Sequence, residues 1–74
     1  MKQEQQNFIG KVIYFNNEEG YGTIKYQNGE IVFLYNQLPI EGGEFKVPQI
    51  NQQVSFEIEK KYFSEYAVNL KFME

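Results

Sequence analysis

Gly20-Tyr21-Gly22-Thr23-Ile24-Lys25-Tyr26-Gln27-Asn28-Gly29-Glu30-Ile31-Val32-Phe33-Leu34-Tyr35 is the stretch that decides the fold. Two runs rich in aromatic and β-branched residues flank Asn28-Gly29, which makes this a strong short-range β-hairpin signal. Asn-Gly suits a two-residue type I′ turn, because both central positions of that turn need positive φ. The turn predicts a register in which Gln27 faces Glu30, Tyr26 faces Ile31, Lys25 faces Val32, Ile24 faces Phe33 and Thr23 faces Leu34. Directly opposed residues share a face of the sheet. One side therefore carries Ile24, Tyr26, Ile31, Phe33 and Tyr35, and the other carries Tyr21, Thr23, Lys25, Val32 and Leu34. Both sides are partly apolar, so one is expected to be core and the other a working surface.

Seventy-four residues make a single domain near the lower size limit for folding without a covalent staple. There is no cysteine, which excludes disulfides and thiolate metal sites, and an oxidising compartment is not needed. There is no histidine either, so the usual zinc ligand, the common general base and the neutral-pH switch are missing. The opening residues Met-Lys-Gln-Glu-Gln-Gln-Asn lack the apolar run of a signal peptide, and no segment approaches the roughly 20 apolar residues of a membrane helix. The expectation is a soluble cytoplasmic protein with no membrane partner. A net charge of −3 argues against a broad basic grip on duplex phosphates. It leaves open a small module that holds single strands by stacking bases on aromatic rings. Phe and Tyr make up 18% of the chain, more rings than so small an interior can bury, so some are expected on the surface.

Working outward from the hairpin, residues 1–7 read as a flexible N-terminal tail and residues 8–74 as the domain. Phe8 to Asn16 reads as the first strand, with Gly10 marking a bend or bulge. Asn17-Glu18-Glu19-Gly20 is a polar turn. Residues 39–48 form a loop between Pro39 and Pro48 with the flexible pair Gly42-Gly43 inside. Gln53 to Glu59 alternates, with Val54, Phe56 and Ile58 inward. Lys60 to Glu65 is a polar connection holding Tyr62 and Phe63, and Tyr66 to Met73 alternates again with Val68, Leu70 and Phe72 inward. No segment has capped helical spacing beyond a single turn near Gln37. The pattern predicts an all-β fold, a small five-stranded antiparallel barrel whose closure protects its strand edges.

Gly10-Lys11-Val12-Ile13-Tyr14-Phe15-Asn16, then Glu19-Gly20-Tyr21-Gly22-Thr23-Ile24, then Glu30-Ile31-Val32-Phe33-Leu34-Tyr35-Asn36-Gln37-Leu38 together resemble the cold-shock domain. Order and spacing match apart from a hairpin loop about two residues shorter than usual. Val54-Ser55-Phe56-Glu57-Ile58-Glu59 and Ala67-Val68-Asn69-Leu70 extend the likeness, which spans roughly residues 8–73. The resemblance implies an OB-type barrel that binds single-stranded RNA or DNA, its bases stacking on an aromatic platform. Carried over by position, the platform holds Tyr14, where the family usually has Trp, with Phe15 beside it. Tyr21 stands at an aromatic of the first motif, Tyr35 at the last aromatic of the second, and Phe45 at the aromatic of the long loop. Thr23 and Val32 replace stacking Phe residues, Leu34 replaces a His, and Ile13 and Glu19 stand where the family usually has Lys. The motif match and the hairpin parity agree that Tyr21, Thr23, Lys25, Val32 and Leu34 lie on the outer face.

The nucleic-acid-binding set expected from residues and resemblance together is Lys11, Tyr14, Phe15, Tyr21, Thr23, Lys25, Val32, Leu34, Tyr35 and Phe45. Lys11, Lys25 and Lys60, each taken alone, read first as solvated surface charges. Glu57 and Glu59 form an outward strand face and not a catalytic pair, so no enzyme activity, metal or cofactor is expected. Gly20 and Gly22 read as packing and strand-curvature positions, because no helix follows them whose N-terminus would bind an anion. Phe56, Ile58, Val68 and Ile24 are expected in the core. The leading expectation is weak, low-specificity binding of single-stranded nucleic acid. The alternative is a protein-interaction or homodimerisation module using the Tyr21, Val32 and Leu34 face.

Overall fold

The computed structural model describes residues 7–73. The tail expected over residues 1–7 therefore lies outside the described residues except for Asn7. Strand β1 (Phe8–Asn16), β2 (Tyr21–Tyr26), β3 (Gly29–Leu34), β6 (Gln53–Lys61) and β7 (Ser64–Phe72) close into a barrel in the order β1-β2-β3-β7-β6. β1 pairs with β6 to complete the ring, and all pairings are antiparallel except β3 with β7. A 3₁₀ turn over Tyr35–Gln37 follows β3, and two short strands, β4 (Ile40–Glu41) and β5 (Glu44–Phe45), form a hairpin inside the long loop. Gly42 and Gly43 take positive φ at its tip, which supplies the left-handed pair that a two-residue hairpin turn requires.

Alternating residues fill the interior: Val12, Ile24, Ile31, Phe33, Leu38, Val54, Phe56, Ala67 and Leu70 are buried, and among the described residues no polar or charged residue is buried with them. Phe8, Phe15, Tyr26, Ile58 and Phe72 pack against this core from its margins. The expected faces of the central hairpin hold, since Ile24, Ile31 and Phe33 point inward. Its register differs. Tyr26 pairs with Gly29, Ile24 with Ile31 and Thr23 with Val32, so the turn residues are Gln27 and Asn28 and the pairing is shifted by two residues. Gly29 alone takes positive φ here, so the turn is not the type I′ turn that Asn28-Gly29 suggests. A two-residue shift leaves every side chain on the same face, which is why the face assignment survives.

Two further departures are bulges. In β1 the extra residue is Ile13, between the Val12–Ile24 and Tyr14–Thr23 pairs, and not Gly10. Gly10 instead marks a close approach: a Cβ there would meet the Lys25 carbonyl oxygen and Ile24 Cγ2, each at 2.6 Å. In β7 the pairing with β6 slips between Ser55–Lys71 and Glu57–Val68, and Asn69 takes a left-handed φ of 55°. This bulge puts Ala67 and Leu70 inside and leaves Val68 half-exposed opposite Glu57, so Val68 is not core. The Asn69 amide N–H donates to Gln37 Oε1 at 3.0 Å and its side-chain amide donates to Glu57 Oε1 at 2.9 Å, which ties the 3₁₀ turn and both strands together.

The polar connection expected at residues 60–65 is a tight turn. β6 runs to Lys61, β7 begins at Ser64, and Tyr62 and Phe63 alone make the bend, with φ of 52° and 70°. Their rings are 86% and 100% exposed. Bulky residues rarely adopt left-handed backbone, which costs about 1–2 kcal/mol each relative to Gly or Asn. Tyr62→Asn combined with Phe63→Gly is therefore expected to stabilise the domain by about 1–3 kcal/mol and to raise its melting temperature by several degrees in a thermal melt. Gly22→Ala has the opposite expectation. A Cβ at Gly22 would lie 2.5 Å from Phe33 Cζ and 2.5 Å from the Tyr14 carbonyl oxygen, so the variant should melt well below the parent protein.

Candidate nucleic-acid interface

The outer face of β1, β2 and β3 is laid out in rows across the strands. Lys11, Lys25 and Glu30 are successive cross-strand partners; so are Tyr14, Thr23 and Val32, and so are Asn16, Tyr21 and Leu34. The bulge at Ile13 makes this layout. It lets Val12 point inward and Tyr14 outward with only one residue between them in the strand, where simple alternation would place both on one side. Val32 also pairs with Tyr66 of β7, so the middle row continues across the barrel seam. Tyr66 was not expected at this face. Its signal was the parity of β7, which alternation through Val68, Leu70 and Phe72 misassigns because the Asn69 bulge reverses it.

Four rings gather here as two contacts. Tyr14 and Tyr21 have centroids 5.7 Å apart at 48°, and Tyr35 and Phe45 meet edge to face at 5.3 Å and 79°. Tyr14 is 39% exposed and Leu34, opposite Tyr21, is 45% exposed. Tyr35 and Phe45 are also exposed. Tyr35 is anchored by its amide N–H, which donates to the Gly20 carbonyl at 2.9 Å, and the ring lies against Gly20. The long loop thus brings Phe45 to the end of the face where Tyr21 and Leu34 stand. Phe15 belongs elsewhere. It is opposite Gly22 and stacks nearly parallel on Phe33 at 5.9 Å and 3°, so it supports the face from the core side. Thr23 and Val32 are half-buried between the rings, and Lys11 and Lys25 are exposed directly opposite one another.

Like charges opposed across strands repel, unless an anion or counterion sits between them. Lys25 is also the cross-strand partner of Glu30, so the row carries two lysines and one carboxylate in succession. At the other end the electrostatics change sign: the Tyr14 hydroxyl donates to Glu19 Oε1 at 2.9 Å. That hydrogen bond raises the Tyr14 pKa above its ordinary value of 10.0, against a smaller opposing contribution from the Asn16 side chain. Among the described residues no group of His, Cys, Asp and Glu side chains converges to hold a metal ion.

The chain is similar to several proteins named as cold shock or cold shock-like proteins. The cold shock protein CspB of Bacillus caldolyticus is 49% identical over 49 residues, covering 66% of this chain and 73% of the relative. The cold shock protein CspD of Bacillus subtilis is 47% identical over the same length, with the same shares covered. The cold shock-like protein CspA of Rickettsia typhi is 32% identical over 65 residues, which is 88% of this chain and 93% of the relative. The chain belongs to the cold-shock protein family. Membership of this family supports nucleic-acid binding at the level of the family. No family model matches the chain.

The Tyr14–Glu19 contact has a measurable consequence. Because the folded pKa of Tyr14 lies above the ordinary value, the stabilisation from this hydrogen bond is complete below pH 10.0 and lost as pH rises through the folded value. Alkaline titration of tyrosinate absorbance should show one tyrosine ionising late. Tyr14→Phe should remove that step and Glu19→Ala should move it to lower pH; a Glu19→Ala curve identical to the parent's would show that the hydrogen bond does not form.

Proposed function

We propose that the face formed by Lys11, Tyr14, Tyr21, Thr23, Lys25, Val32, Leu34, Tyr35 and Phe45 binds single-stranded RNA or DNA, weakly and with little sequence preference along most of the strand. The observation that carries this reading is the pair of ring contacts, exposed Tyr14 with half-buried Tyr21 and exposed Tyr35 with exposed Phe45, on the same barrel face as the opposed lysines Lys11 and Lys25. Bases stack on the rings while the sugar-phosphate backbone passes the lysines, and every base has a π-face, so stacking discriminates little. Each stacked base contributes about 1–3 kcal/mol. Thr23, Val32 and Leu34 offer van der Waals contact without stacking, which keeps the affinity low. The short, open rows favour extended single strands over duplexes, whose bases are already stacked on one another.

One observation favours a second reading, a protein-interaction or homodimerisation module on the same face: Leu34 is exposed between Tyr21 and the 3₁₀ turn, where an aliphatic side chain gains more from a protein partner than from a base. The two readings separate cleanly. In a fluorescence titration with a labelled pyrimidine oligonucleotide, the parent protein should bind in the micromolar range at low salt. Tyr14→Ala or Tyr21→Ala should weaken binding about tenfold or more. Lys11→Ala with Lys25→Ala should flatten the salt dependence by about 0.7 in log–log slope per lysine. Val32→Phe with Leu34→Phe should tighten it. No binding at low salt and high micromolar protein would overturn the nucleic-acid reading, and disruption of a dimer by the Phe pair would favour the second.

A further inference from the structure

Glu19 lies in the turn between β1 and β2, and that turn is held from several sides. Its amide N–H donates to Asn16 Oδ1 at 2.9 Å, the next amide, of Gly20, donates to the Asn16 carbonyl at 2.8 Å, and the Gly20 carbonyl accepts from Tyr35 at 2.9 Å. Gly20 takes a φ of 82°, which turns the chain back into β2. The Glu19 side chain is fixed in turn by the Tyr14 hydroxyl, at 2.9 Å. A carboxylate is thereby positioned at the hydroxyl end of the exposed Tyr14 ring. Among the described residues it has no ion-pair partner. One of its oxygens accepts from Tyr14, and the side chain is exposed.

We propose that Glu19 makes the Tyr14 position selective for guanine. This inference rests on the reading of the face as a single-strand interface, and it adds a base preference at one position of it. A base stacked over Tyr14 presents an edge to the carboxylate, which can only accept hydrogen bonds. Guanine alone carries two adjacent donors on its Watson–Crick edge, N1–H and the N2 amino group, matching the two oxygens of a carboxylate. Thymine and uracil offer N3–H between two carbonyl oxygens, each of which faces the negative charge. Cytosine and adenine offer one amino donor beside an acceptor ring nitrogen. A charge-assisted, two-point hydrogen bond is the stronger kind and is specific in geometry. The carboxylate also repels phosphates, so it lowers affinity for strands that cannot repay it in this way. Selectivity at this position thus comes from a penalty on the wrong base as well as a gain from the right one.

The test uses oligo-dT as host, with a single dG moved through successive positions, titrated against the full-length protein. One position should tighten binding about tenfold relative to the host. Inosine, which keeps N1–H and lacks the N2 amino group, should lose most of that gain at the same position. Glu19→Gln keeps an acceptor for the Tyr14 hydroxyl but presents a neutral amide; it should abolish the guanine gain while leaving oligo-dT binding equal or tighter. A thermal melt checks that this exposed substitution leaves the fold intact. If oligo-dT binds and no dG position gains, or if the gain persists unchanged in Glu19→Gln, the inference is wrong and the interface reading stands. If no oligonucleotide binds at all, both fall together.

Discussion

The ring of Phe33 occupies the space that a side chain on Gly22 would fill, and most of the molecule's arrangement follows from that contact. A Cβ at Gly22 would meet two atoms of the ring at 2.5 and 2.7 Å. With Phe33 fixed inside, strand parity sends Val32 and Leu34 outward, and with Gly22 facing in, Tyr21 and Thr23 must face out. Phe15, opposite Gly22, completes the packing by stacking on Phe33. Inner packing and outer surface are therefore a single constraint seen from its two sides. Enlarging Gly22 disturbs the outer face as surely as it disturbs the core.

The outer face of β1, β2 and β3 carries charges of both signs. The chain is acidic overall, yet two lysines are opposed on this face at one end and a carboxylate is bound to a tyrosine at the other. Net charge describes long-range attraction, whereas binding on such a face depends on rings and on where single charges sit. The ion pair Lys46–Glu41, at 3.4 Å in the long loop, is exposed and contributes little by itself. Lys46 also lies 5.4 Å from the Phe72 ring centre, and together these contacts help hold the β4–β5 hairpin, and with it Phe45, against the barrel.

Among the described residues, left-handed φ outside glycine is found at Asn51, Tyr62, Phe63 and Asn69. Asn51 and Asn69 take left-handed φ, which asparagine tolerates, and each sits where a hydrogen bond fixes the chain: the Asn51 amide donates to the Val12 carbonyl at 2.7 Å and the Asn69 amide to Gln37. Tyr62 and Phe63 have no such excuse in their side chains. The two-residue link leaves them no alternative once β6 and β7 pair through Lys61 and Ser64.

Much of this was legible in the sequence. Alternation gave the five barrel strands, the inward set of Ile24, Ile31, Phe33, Val54 and Phe56 and the outward Tyr21, Val32 and Leu34; the resemblance added Tyr14 to that outer face, and the absence of longer helical spacing left room for the single turn near Gln37. Spacing and residue type also pointed to the family. What the sequence left undetermined was every feature that a period of two cannot encode. A register shifted by two residues keeps all faces, so Asn28-Gly29 could not reveal that Tyr26 pairs with Gly29. A bulge reverses parity without a composition signal of its own, which is why Ile13 and Asn69 were missed and Val68 was misplaced. The contacts of Tyr35 with Phe45 and of Tyr14 with Glu19 depend on how a loop and a turn fold back on the barrel. By itself the sequence determined which side of each regular strand is apolar, because burial of apolar surface enforces that locally. Only the tertiary structure decided which residues meet across the strands, because closing the barrel fixes all the registers at once.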